Sequence, residues 1–112
     1  MSYDGWIATG PEPDRREIAE IGNMTSNVSK MWTHALSAVS NADLSLRDTD
    51  GWSTEHALPL FQRAVAYMRL HPDEFTSMNP PNKWGSYESA VDYLVRARDA
   101  CRYHPGTVRW SW

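Results

Sequence analysis

Val28-Ser29-Lys30-Met31-Trp32-Thr33-His34-Ala35-Leu36-Ser37-Ala38-Val39 places apolar residues at positions 28, 31, 32, 35, 36 and 39. Spacing by three and four residues follows the turn of an α-helix, so these six side chains form one stripe facing a core. Thr25, Ser26, Asn27 and Ser29 supply candidate N-caps, and Ser40-Asn41 ends the helix. Moving outward, the polar segment 42–51 carries Leu44 and Leu46 as plugs for the core and closes on a turn at Asp48, Asp50 and Gly51. A second helix starts at Ser53 or Thr54 and runs to His71, with Leu58, Phe61, Val65 and Met68 as its stripe and Ala57 and Ala64 beside it. Pro72 stops it, because the residue before a proline is pushed out of helical geometry. The segment 73–85 reads as a loop or a single short turn. A third helix, capped by Ser86 and with Glu88 in its first turn, turns Tyr87, Ala90, Val91, Leu94, Val95, Ala97 and Cys101 inward. His104-Pro105-Gly106 ends it.

The two ends of the chain read differently. Thr107-Val108-Arg109-Trp110-Ser111-Trp112 alternates, with Val108, Trp110 and Trp112 on one side, which is the period of a strand. Ser2 to Thr9 is short and rich in aromatic and branched residues. Gly10-Pro11-Glu12-Pro13-Asp14 follows as a turn. Arg15 to Ile21 completes a hairpin, although Ile18 and Ile21 fit neither the helical nor the strand period, and a short helix is the rival. The expected fold is α+β and mostly helical: three helices packed on a small antiparallel sheet made from the N- and C-terminal segments, in one domain over 1–112.

Composition narrows the partners. Of 112 residues, 41% are hydrophobic and 22% charged, an ordinary globular balance. The apolar runs are too short to span a bilayer, and Met1 to Gly10 lacks the pattern of a secretory signal. A single Cys101 has no internal disulfide partner and reads as a buried thiol. These features point to a cytoplasmic protein without a membrane partner. The net charge is −3 and the basic residues are dispersed, so nucleic acid is not an expected partner. Six tryptophans and five tyrosines exceed what so small a core absorbs, which leaves some for a pocket or an interface.

Two polar stretches, Gly22 to Asn27 and Asn79 to Tyr87, each run into a helix N-terminus. Asparagine both donates and accepts, which suits a polar ligand, and Trp84 and Tyr87 add a stacking surface. The candidate ligand-binding residues are therefore Asn23, Thr25, Asn27, Asn79, Asn82, Trp84 and Tyr87. The competing reading is that these residues only build turns and caps. Trp6, Trp110 and Trp112 are the candidate interface residues for a protein partner or a homo-oligomer. His34, His56, His71 and His104 show no metal-ligand spacing, so neither a metal nor another cofactor is expected. No nucleophile motif is present; a small enzyme would have to use Asp48, Asp50 or His34, and a turn-forming Asp-x-Asp-Gly explains the first two without chemistry.

Ser2-Tyr3-Asp4, Gly22-Asn23-x-Thr25-x-Asn27-Val28-Ser29-x-Met31-Trp32, the stretch from His71-Pro72 to Tyr87-Glu88, and Cys101-x-x-His104-Pro105 together resemble a small-protein family of actinobacteria and their phages with no established function. The resemblance covers nearly the whole chain. It implies that the two Asn-bearing loops belong to one shared site. It also implies a phage-associated protein acting by occupancy in the host cytoplasm. The expected function is that of a non-enzymatic binding protein holding a small polar, nucleotide-like ligand, or a host component that it inhibits or sequesters. The alternatives are a protein–protein inhibitor or homo-oligomeric assembly subunit working through exposed tryptophan, and the small enzyme.

Overall fold

The computed structural model describes residues 2–10, 16–81 and 85–112. The chain runs β1 (Ser2–Thr9), β2 (Arg16–Thr25), α1 (Ser29–Ser40), α2 (Thr54–Leu70), α3 (Pro72–Thr76), α4 (Tyr87–Tyr103) and β3 (Thr107–Ser111), with 3-10 turns at Ser26–Val28 and Leu46–Thr49. The sheet is antiparallel in the order β2-β1-β3, so the first strand is central and the last lies at one edge. The mostly helical α+β fold with a sheet built from both termini is thus present.

Each helix ends where local chemistry ends it. Ser53 and Ser86 accept hydrogen bonds from the amides of His56 and Ser89, capping α2 and α4. Asn41 closes α1 in the left-handed conformation, at φ 56°, and its amide donates to the Ser37 carbonyl. The segment expected to be a loop or short turn after His71 contains α3, a five-residue helix opened by Pro72.

Two departures from the expected pattern are informative. In β2, Gly5 pairs with Gly22 but Trp6 with Glu20, and Ile7 pairs with Ala19 but Ala8 with Glu17. Ile21 and Ile18 are therefore extra residues at two bulges, and a bulge breaks the period of two. This is why Arg15 to Ile21 matched no period, and β2 extends past the expected exit at Gly22-Asn23 to Thr25. In α2 the buried stripe is Ala57, Leu60, Phe61, Ala64, Val65 and Met68, while Leu58 is only half-buried.

The core is threaded by aromatic rings. Trp32 makes an edge contact with Tyr3 at 5.3 Å and packs on Tyr93 at 5.3 Å; Tyr93 reaches Trp110 at 6.0 Å, and Trp110 reaches Phe61 at 6.5 Å. Each polar handle is satisfied. Trp32 Nε1 donates to the Ala90 carbonyl, Trp110 Nε1 to Thr49 Oγ1, and the Tyr93 hydroxyl to the Gly22 carbonyl. Burial raises the Tyr93 phenol well above its ordinary range. Trp110 occupies the space a side chain at residue 5 would need: a Cβ on Gly5 would lie 2.7 Å from its Cε3. Cys101 is buried, and desolvation pushes its thiol up to about 12, so it is an inert packing residue.

Candidate functional site

The two polar stretches meet in space. Gly85 sits at φ +92°, and a Cβ there would lie 2.7 Å from Val28 Cγ1 and 2.8 Å from Thr25 Cγ2. Only glycine combines that backbone conformation with so close an approach. Next to this contact, Ser26, Asn27, Ser29 and Lys30 form one side of a cleft of about 600 Å³, and Ser77, Met78, Asn79, Pro80 and Pro81 form the other. Hydroxyls and amides dominate the lining, Met78 and the two prolines give it an apolar strip, and Lys30 is the one charged group among its described residues.

The candidate ligand residues divide into those that build this cleft and those that face it. Asn23 is a strand residue of β2; its side-chain amide donates to Ser2 Oγ and to Asp4 Oδ1, both at 3.0 Å. It ties β2 to β1 rather than lining the cleft. Thr25 also belongs to the strand, and its hydroxyl accepts from the Asn27 amide to start the 3-10 turn. Asn79 lines the cleft, yet its Oδ1 accepts from the Tyr87 amide at 2.8 Å, so it joins the cleft wall to the start of α4. The Tyr87 hydroxyl donates to the Met68 carbonyl at 2.6 Å and holds the same junction from the other side. Asn27 is exposed on the cleft lining. Asn82 and Trp84 lie outside the described residues.

The interface candidates also divide. Trp110 is 4% exposed and is a core residue, which corrects its placement among exposed tryptophans. The alternating tail misled on this point because the inward face of β3 carries Val108 and Trp110, while Trp112 lies beyond the strand and is 50% exposed. Trp112 stacks with the Arg47 guanidinium at 5.2 Å, and Arg47 Nε also donates to the Tyr3 hydroxyl. Trp6 is half-buried on β1, with Glu20 and Arg109 as its cross-strand neighbours.

The carboxylates considered for catalysis both hold local structure together. Asp48 Oδ2 accepts from the amide and the hydroxyl of Ser45 in a capping box. Asp50 Oδ1 accepts from Arg109 Nε at 3.0 Å and from the Trp110 amide at 2.9 Å, which seams the 46–52 segment to β3.

Sequence reasoning missed Glu74. Its Oε1 accepts from His34 Nε2 at 2.9 Å and from the Tyr67 hydroxyl at 2.5 Å, and His71 Nδ1 lies 3.3 Å from its Oε2. Because a carboxylate only accepts, the hydrogen bond assigns the proton of His34 to Nε2. The bonds from His34 and Tyr67 hold the Glu74 carboxyl below the usual carboxylate range, and the bond to Glu74 raises the Tyr67 phenol. The signal in the chain was faint: His71 and Glu74 share i, i+3 spacing, but His34 stands 40 positions away. His34 lies one helical turn beyond Lys30, and Glu74 lies three residues before Ser77, so this junction borders the cleft. Among the described residues, no three His, Cys, Asp or Glu side chains are arranged to hold a metal ion.

A second, shallower groove of about 460 Å³ runs between the end of α1 and the first half of α2. Arg63 donates across it to the Val39 carbonyl, and Trp52 stacks on His56 at 4.4 Å along its side. No described helix is long and apolar enough to cross a membrane. No protein-family model matches the chain, and neither a curated protein nor a solved structure matches it.

Proposed function

We propose that this is a non-enzymatic binding protein that holds a small polar ligand in the cleft between the start of α1 and the segment following α3. The supporting observation is the cleft itself, which joins two stretches about fifty residues apart in sequence through the Gly85 contact. Its lining suits a ligand with an anionic part for Lys30, hydrogen-bonding edges for the serines and asparagines, and a flat face for Met78, Pro80 and Pro81. A nucleotide-like molecule combines those three features. The phage association, and a role in sequestering or inhibiting a host component, belong to the same proposal and rest on the resemblance described above.

The test is native mass spectrometry of the purified protein followed by unfolding to release bound material. A defined small-molecule mass that leaves on unfolding, and is lost in an Asn27→Ala/Lys30→Ala variant that still folds, is the expected result. A bare wild-type protein that also binds no member of a mononucleotide panel would refute the reading. A protein–protein role is the second reading, and the stacked, exposed Trp112 is the observation that favours it. An oligomer in the same spectrum that disappears with Trp112→Ala would support it.

A further inference from the structure

One wall of the cleft is poorly anchored by its own secondary structure. It begins with α3, and five residues are far fewer than a helix needs to persist alone. At its ends the backbone bonds span only three residues: Glu74 N–H to the His71 carbonyl, Met78 N–H to the Phe75 carbonyl, and Asn79 N–H to the Thr76 carbonyl. Phe75 is fully buried and fastens the inner side. On the outer side Glu74 gathers His34 from α1, Tyr67 from α2 and His71 from the junction of α2 and α3 around one carboxylate, while Asn79 ties the far end to the Tyr87 amide.

We propose that the Glu74 junction is a pH-sensitive clasp that sets how firmly the 72–81 wall closes over the cleft. The effect on ligand rests on the binding reading above; the effect on the wall does not. The groups facing Glu74 are the His34 imidazole from α1, the Tyr67 hydroxyl from α2, the His71 imidazole between α2 and α3, and its neighbour Asp73 within α3; Lys30 stands one turn from His34. All three junction side chains other than Tyr67 are substantially exposed, at 39% for His34, 45% for His71 and 40% for Glu74, so protons exchange freely with solvent.

The direction follows from the chemistry. Histidine is the side chain that changes charge between about pH 5 and about pH 8. A neutral imidazole offers a carboxylate an ordinary donor, whereas an imidazolium offers a charge-assisted bond, which is the stronger kind. In stronger acid the carboxylate itself is lost. Because its folded-state value is lowered, the stability it contributes is present above the usual carboxylate range and disappears as pH falls through that lowered value. The wall is therefore held best in mild acid and loosens in both directions.

The experiment is amide hydrogen exchange on the intact, ligand-free protein, corrected for intrinsic exchange rates, at about pH 5.5 and about pH 8. The amides read are those of Glu74, Met78 and Asn79, with Val108, which donates to the Trp52 carbonyl in the β3 seam, as the internal control. The expected result is protection of the three wall amides roughly threefold to tenfold greater at the lower pH, in keeping with two partly exposed ion pairs, and no such change at Val108. Glu74→Gln should flatten the difference. If that variant perturbs the fold, His71→Gln serves instead and should remove part of the difference. Equal wall protection at both pH values in the wild type, or an unchanged pH difference in Glu74→Gln, would overturn the clasp. Since the readout needs no ligand, a failure to bind mononucleotides is a separate result bearing on the cleft reading.

Discussion

Asp50 and Glu74 each tie separate parts of the fold to one carboxylate, yet their partners differ in kind. Asp50 accepts from a guanidinium and a backbone amide, and it closes a seam that includes the buried Trp110 indole and the Thr49 hydroxyl. None of those donors changes charge near neutral pH. Glu74 accepts from one imidazole and a phenol on an exposed surface, with the His71 imidazole 3.3 Å away, beside a five-residue helix. The first arrangement is a fixed joint of the scaffold. The second is conditional, and it borders the cleft.

The contrast can be broken most forcefully at the seam. Trp110→Ala removes the ring that lies against Phe61, Tyr93 and Gly5, and should lower stability by about 3–5 kcal/mol, measured by chemical denaturation. Asp50→Ala leaves the Trp110 amide without its acceptor and should cost about 1–3 kcal/mol, equally at mildly acidic and mildly alkaline pH. A comparable loss of about 1–3 kcal/mol is expected for Gly85→Ala, since a Cβ there meets Thr25 and Val28 at positive φ; unlike the seam variants it should also abolish ligand binding by parting the cleft walls. Glu74→Gln should change global stability little at neutral pH and instead remove the pH dependence of the wall. Smallest of all in stability is Asn27→Ala, expected within about 0.5 kcal/mol of wild type because the side chain is exposed, while ligand affinity falls.

How much was legible depended on whether the signal was periodic. The α1 stripe, the Ser53 and Ser86 caps and the terminal strand could be read because each is set by neighbours within a few residues. β2 was blurred by the extra residues Ile18 and Ile21, and α3 is too short to show a period. Tyr93 escaped notice as a core residue because its burial depends on a hydroxyl reaching Gly22, 71 positions away. The same limit applied to the site. Asn27 and Asn79 were visible as polar residues near helix starts, but that Asn79 is occupied by the Tyr87 amide, and that Asn23 belongs to the sheet, are facts of tertiary contact. Glu74 gave no local sign of joining His34.

The most direct test of the central claim is a chemical-shift titration of the isotopically labelled protein with a set of ribonucleoside monophosphates. Saturable shifts confined to Asn27, Lys30, Ser77 and Asn79, with the seam amides of Gly51 and Trp110 unmoved, are the predicted result. Binding that shifts the Trp112 and Arg47 surface instead, or no saturable shift with any member of the set, would contradict it.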